Sequence, residues 1–418
     1  MPRRLRLPAV LLAAVAVAQV AVVVMRPRDK GPEPAPVEAR DYFTKAQIER
    51  ARDFRRPQLV IYGATVAIEL GVLVLLVRRP PRWLHGASRR QVPAGALAGA
   101  AVSALPAIAQ LPVSAIGRQR AIDVGLTTRS WPGWLADVGL DLAISAGLAA
   151  VGGALLVVAL RRLGRAWWTV GAALIVVFGV AITYGSPVLI DPLFNRFEPL
   201  EPGRTRSAVL DLARRADVDV GEVYVVDASK RTTGANAYVA GIGKTKRVVL
   251  FDTLLRDFTP AQVRLVVAHE LGHVHHRDVS HGLLWLAVVA PFGVLAAARL
   301  AERLGPDDWR ARPAPAVPAV ALALAIVVPV ITTISNELSR EVEARADRYA
   351  LALTHQPDTL IAFQRMIAIA NVSDPQPPGW VNVLLGTHPT AVQRIGAAVA
   401  FRDAMRREAR PRPTPAGS

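Results

Sequence analysis

The sequence predicts a mainly α, polytopic membrane protein, with about seven transmembrane helices and an α+β domain assembled from two separate polar segments. Three observations carry this. The 418 residues are 52% hydrophobic, with a mean hydropathy of +0.30, too apolar for an ordinary soluble protein. Seven apolar runs reach or approach the roughly 20 residues needed to cross a bilayer. They are Leu7–Met25, Leu59–Val77, Val92–Ile116, Leu142–Leu160, Trp167–Ile190, Gly282–Leu300 and Ala316–Ile334. The polar sequence collects into two stretches, Ser186–Ser280 and Ser335–Ser418, with the last two runs between them. Paired as a hairpin, those runs would return both stretches to one face of the membrane.

Each element follows from its residues. "MPRRLRL" before an apolar run could open a cleaved signal peptide, but the run continues to Met25, so a retained span is expected. "RPRDKGPEPAPVEAR" is charged and Pro-rich, and reads as a loop. The third run holds Pro93, Pro106 and Pro112, which a span tolerates where neighbours satisfy the freed backbone. "EPGRTRSAVLDLARRADV" reads as an amphipathic helix, while "GEVYVVDAS" and "KRVVLFDTLL" are rich in β-branched residues and read as strands. "TPAQVRLVVAHELGHVHHRD" opens with Thr259 and Pro260, an N-cap and first-turn proline, and so predicts a helix. The tail "RREARPRPTPAGS" is expected to be disordered. There is no internal repeat.

Composition narrows the chemistry. The chain has no cysteine, which excludes disulfides, thiolate metal sites and cysteine nucleophiles. Any metal must be held by His, Asp or Glu. The net charge is +17, but the arginines cluster beside apolar runs, as in "VRRPPRW" and "LRRLGR". That pattern suits lipid headgroups and topology signals, and no nucleic-acid partner is expected. A pore or transporter is disfavoured, because the spans hold Glu69 and Asp141 and little else that ionises.

In "HELGH", His269 and His273 are four apart, so on a helix they project about 40° apart and can reach one ion. Glu270 lies beside the first ligand, placed to take a proton from water. The alternative is a helix with two surface histidines. Against it, the flanks Leu265, Val266, Val267 and Ala268 imply burial, and buried His and Glu need partners. Gly272 costs a helix about 1 kcal/mol relative to Ala and makes sense if something approaches that face closely. His275, His276 and His281 fall at other angles and read as surface or interfacial. Asp278 could brace a ligand histidine. A catalytic zinc needs a third protein ligand and an open fourth position. "NELSREVEARADRYA" offers Glu343 and Asp347, four apart on a polar helix face, with Glu337 and Glu341 not separable from them by pattern.

With these pieces in order, the chain resembles the seven-span zinc metalloendopeptidases of the CAAX prenyl protease type 1 family, as a bacterial member with a zincin-like domain. The resemblance runs from about residue 100 to 400 through "DPLFNRFEPLEPG", "VVDASKRTTGANAYVAGIGKTKRVVLFDTLL", HELGH, "SREVEARAD" and "THPTAVQRI". It implies His269, His273 and Glu343 as ligands of one Zn²⁺ per chain and Glu270 as general base. Asp347 stands behind the ligands, and Asn336 and Arg340 brace the site. His388 steadies the charge that develops during hydrolysis, and Arg394, which follows it, is expected to bind substrate. "NAYVAGIG" resembles the family's edge strand, so Asn236, Ala237 and Tyr238 are expected to bind a peptide as one more strand. Gly234 stands where eukaryotic members commonly carry histidine.

The implied organisation is an N-terminal membrane region (1–185), a first catalytic segment (186–281), a membrane hairpin (282–334), a second catalytic segment (335–400) and a disordered tail (401–418). The expected partners are a peptide or protein substrate, CAAX-like or a membrane or misfolded protein, and the lipid bilayer. The sequence is silent on oligomeric state. The family places the catalytic segments on the cytoplasmic side of what is here a bacterial plasma membrane, although the opposite short loops carry Arg78, Arg79, Arg82, Arg89 and Arg90, then Arg161, Arg162 and Arg165. The alternative function is a non-hydrolytic membrane sensor or scaffold that keeps zinc as a structural element, its fourth position closed by a protein ligand.

Overall fold

The computed structural model describes residues 6–29, 31–82, 90–241, 243–309 and 311–409. Arg89 of the basic loop, Ile242 of the edge-strand run, residues 1–5 and the tail from 410 onward lie outside the described residues. The chain begins with helices α1 (Arg6–Met25), α2 (Ala39–Tyr42), α3 (Lys45–Arg78), α4 (Gln91–Asp123), α5 (Trp131–Leu163) and α6 (Trp167–Leu189). A mixed region follows: α7 (Asp191–Phe194), β1 (Phe197–Pro199), α8 (Arg204–Arg215), β2 (Glu222–Val226), β3 (Ala237–Ala240), β4 (Arg247–Phe251), α9 (Asp252–Asp257) and α10 (Pro260–His275). Helices α11 (Asp278–Leu304), α12 (Ala316–Thr354), α13 (Pro357–Ala370), α14 (Gly379–Leu385) and α15 (Ala391–Glu408) complete it.

These elements form two compact units. One comprises Met1–Met25, Arg56–Ile190 and Ser280–Ser335, and the other Arg26–Arg55, Asp191–Val279 and Asn336–Ser418. Among the described residues, six helical stretches, mostly within the first unit, are long and apolar enough to span a bilayer. One of them, Trp131–Phe194, holds both α5 and α6, so the seven apolar runs of the sequence fall on seven helices within six stretches. Helix α4 runs unbroken through Pro106 and Pro112. Its partner α5 lies close enough that a Cβ on Gly99 would stand 2.0 Å from the Ala149 carbonyl oxygen, and one on Gly153 2.2 Å from that of Gly95. This is the small-residue contact that lets membrane helices approach backbone to backbone. Apolar side chains such as Val60, Leu97, Val151 and Val177 remain exposed, as lipid-facing positions should.

The second unit is α+β. Its sheet has the order β1-β2-β4-β3, with β2 and β4 parallel and the outer pairs antiparallel. β3 is therefore an edge strand. Helix α10 packs against β3, α8 and α13, and its apolar face, including Leu265, Val267, Ala268 and Leu271, is fully buried in the main core with Leu250, Leu254, Leu351 and Leu360. Thr259 and Gln262 form a reciprocal capping box at the start of α10, with Pro260 in the first turn.

Three details depart from the sequence reading. Segment 26–55, read with the membrane region, belongs to the second unit. Hydrogen bonds hold it there: Ala35 N–H donates to Gly396 O at 3.0 Å, and the Arg55 guanidinium donates to the carbonyls of Asn371 and Val372 at the end of α13. Helix α15 runs to Glu408, so the disordered tail does not begin at 401; the capping box of Thr390 with Gln393 starts that helix and burial of Val392, Ile395 and Ala398 anchors it. Finally, "DTLL" after β4 is the helix α9 rather than strand.

Candidate metal centre

Helix α10 carries His269 and His273 on one face, and α12 faces them. Asn336, Arg340, Glu343 and Asp347 recur at intervals of four, three and four residues, which is one stripe of an α-helix. α12 can come close because Gly272 has no side chain; a Cβ there would lie 3.2 Å from Tyr349 Cδ1 and 3.4 Å from Ala346 Cα. The close approach expected at Gly272 is that of the helix bearing the third ligand candidate.

The result is a convergence of three ligand atoms. His269 Nε2 is 3.1 Å from Glu343 Oε2, His273 Nε2 is 3.3 Å from His269 Nε2, and His273 Nε2 is 3.6 Å from Glu343 Oε1. Atoms bonded tetrahedrally to one zinc at its usual bond lengths lie about 3.4 Å apart. His269, His273 and Glu343 are the metal-capable group among the described residues. The donor chemistry fits a cation too. Each imidazole Nδ1 faces a carboxylate, Asp347 for His269 at 3.0 Å and Asp278 for His273 at 2.9 Å. A carboxylate only accepts, so each Nδ1 donates, and it is the Nε2 of each ring, once that nitrogen gives up its proton, that offers a lone pair to a cation at the centre. Burial alone would lower the His269 pKa, but its hydrogen bonds to Asp347 and Glu343 overcome this and push it up to about 10.

Glu270 lines the adjoining cavity, and desolvation there raises its carboxyl above the ordinary range, against the pull of His269 and His273. A carboxylate with raised basicity is suited to proton transfer near neutral pH. Asp347 is buried behind His269 and is clamped by both Nε and Nη2 of Arg394. Arg394, expected on the substrate, thus spends its guanidinium on Asp347, although it also borders the cavity. Asn336 and Arg340 direct their hydrogen bonds elsewhere than to the three ligand candidates. They donate to the carbonyls of Leu384, Asn382 and Gly386, and so pin the loop that carries His388.

His388 Nε2 lies 3.3 Å from Glu343 Oε2 but is not among the three converging groups. Desolvation lowers its pKa, with Glu343 opposing, which favours the neutral ring. Thr387 Oγ1 is 2.9 Å from its Nδ1. Since Glu343 only accepts, Nε2 carries the proton of the neutral ring and Thr387 donates to Nδ1. Sequence reasoning passed over Thr387 and Arg345, whose side chain bonds Asp278. "THP" and "EAR" contain them, but nothing in their spacing shows which neighbour they reach.

The cavity measures about 430 Å³ and is lined by Asn236, His269, Glu270 and His388 together with the apolar Leu254, Leu360 and Phe363. β3 begins immediately after Asn236. Phe251 N–H donates to Asn236 O at 3.0 Å; by antiparallel alternation the backbone groups of Ala237 and Val239 then point away from β4, to the open edge. Ala237 N–H is held at 2.9 Å by Asn236 Oδ1. Tyr238 turns its hydroxyl to Asp191, 3.4 Å away.

Apolar helices able to span a bilayer, joined in one chain to an HExxH centre of two imidazoles, a carboxylate and a bordering glutamate, define a membrane metallopeptidase. Comparison with known proteins agrees. The sequence model described as "CAAX prenyl protease N-terminal, five membrane helices" matches residues 29–196, and that of "Peptidase family M48" matches 199–401. The chain belongs to peptidase family M48 and is an integral membrane metalloendopeptidase. Its relatives include "Uncharacterized metalloprotease YhfN" of Bacillus subtilis, 29% identical over 305 residues that make up 70% of each chain. They also include "CAAX prenyl protease 1 homolog" of Oryza sativa subsp. japonica, 32% identical over 50% of this chain and 51% of that protein. The alignment thus spans about half the length of that plant relative. Among solved structures, that of S. mikatae Ste24p has the same fold, with a TM-score of 0.70 at 20% identity over 95% of this chain and 99% of that one.

Proposed function

We propose that the chain is a zinc-dependent endopeptidase in which His269, His273 and Glu343 hold the ion and Glu270 is the general base. The observation that carries this is the set of three ligand atoms 3.1–3.6 Å apart, bordered by a carboxyl of raised pKa in an open cavity. Zinc, when bound, polarises a peptide carbonyl and makes water a nucleophile near neutral pH. Glu270 takes the proton of the attacking water and returns it to the leaving amine. His388 donates from Nε2 to the oxygen that gains negative charge, a contact typically worth about 2.7–4 kcal/mol. Asp347, held by Arg394, keeps His269 in the tautomer whose Nε2 faces the ion. An extended peptide adds to β3 through the outward groups of Ala237 and Val239, which read backbone rather than sequence.

The substrates are CAAX-like termini or membrane and misfolded proteins, cut on the cytoplasmic side of a bacterial plasma membrane. The test is cleavage of a peptide library by the full chain in nanodiscs, with and without chelator. Glu270→Gln should retain one zinc by elemental analysis and lose hydrolysis by a factor of about 10²–10⁴. Cleavage by that variant at the wild-type rate would remove Glu270 from the mechanism. A wild-type chain that binds zinc yet cleaves nothing would favour a sensor.

A further inference from the structure

The two candidate ligand histidines are held by matching chains of contacts. His269 leads to Asp347 and then Arg394. His273 leads to Asp278 and then Arg345: Asp278 Oδ2 accepts from His273 Nδ1 at 2.9 Å, and Asp278 Oδ1 accepts from Arg345 Nη2. The two oxygens are divided between the two partners, so the carboxylate cannot turn without losing one. Its side chain is 8% exposed and that of Arg345 15%. The backbone is shaped for this contact. Between the end of α10 and Asp278, Arg277 adopts a φ of +56°, a conformation that L-residues avoid, and this turn brings Asp278 back beside the helix that has just ended.

We propose that Asp278 and Arg345 are a positioning couple for His273, doing for this imidazole what Asp347 and Arg394 do for His269. Asp278 fixes the Nδ1–H tautomer and aims Nε2 at the point it shares with His269 Nε2, 3.3 Å away. Arg345 fixes Asp278. Helix α12 therefore supplies one ligand and a bracing residue for each of the other two. The inference rests on the proposed ligand set.

The test uses the full chain in nanodiscs, titrated with zinc against a fluorescent chelator. Asp278→Asn and Arg345→Met should each weaken zinc binding by about 10–100-fold. Arg345→Lys, which keeps a charged donor, should recover most of that loss. The double variant Asp278→Asn/Arg345→Met should bind zinc no more weakly than Asp278→Asn, because Arg345 acts only through Asp278. The rise in Tm on adding zinc should shrink in the same order, a readout that a purely structural role leaves unchanged. Single variants within twofold of wild-type affinity, or losses that multiply in the double variant, would overturn the proposal. A wild-type chain that binds no zinc would instead overturn the ligand set itself.

Discussion

The sharpest single perturbation is Arg394→Met. Arg394 and Asp347 form a buried pair, 15% and 3% exposed at their side chains, with contacts of 2.7 and 2.5 Å. Asp347 also accepts from His269 Nδ1 at 3.0 Å. Methionine fills a similar volume but leaves a carboxylate out of water with only an imidazole for company. Breaking a buried pair this way costs about 3–5 kcal/mol, because the surviving charge stays desolvated. For a unit of about 150–250 residues, each kcal/mol moves Tm by about 2–4 °C, so a fall of about 6–20 °C is expected in metal-free protein. Differential scanning fluorimetry in detergent reads it. Asp347→Asn added to Arg394→Met removes the stranded charge and should return part of the loss. A fall of less than about 2 °C, or no recovery in the double variant, would show that the pair does not carry the stability argued for it.

Other outcomes follow from the same structure. Val239→Pro removes an outward N–H without touching the ladder to β4; it should leave the fold intact and raise KM for peptide by about 2–10-fold, the worth of one hydrogen bond, and an unchanged KM would argue against strand addition. The Tyr238 phenol is pushed up to about 12 by burial and then by the nearby Asp191 charge. Its folded pKa exceeds the unfolded value of about 10, so its contribution to stability is fully present below pH 10 and is lost as pH rises towards 12; ultraviolet difference spectra against Tyr238→Phe should show that late titration, and Asp191→Asn should move it earlier. Gly99→Leu forces a side chain into a space that ends 2.0 Å away at Ala149 O, so α4 and α5 must part and thermal inactivation should come faster; wild-type kinetics would contradict the packing.

Much of this architecture is visible in the sequence where the physics is local. The start of α10 is set by Thr259, Pro260 and Gln262, all within one turn. Two imidazoles four residues apart share a face on any helix. The apolar runs declare themselves by length, and α4 continues through Pro106 and Pro112. What failed to show was long-range. Segment 26–55 reads as a loop and a helix start, yet it is bound to the end of α13 by the Arg55 side chain and to α15 by its backbone at Ala35, far along the chain. Arg394 reads as a substrate contact, and only the fold reveals Asp347 beneath it.

What the sequence determined by itself, then, was the membrane character, the helix that bears HELGH and the inventory of groups able to hold a metal. Tertiary structure brings Glu343, rather than Glu337, Glu341 or Asp347, into one group with the two histidines, since that depends on how α12 is turned against α10, where Gly272 leaves room for it. It also decided that β3 ends the sheet and that two arginines stand behind two aspartates. Local patterning fixes which face a side chain occupies on its own element; only packing between elements fixes what that face meets.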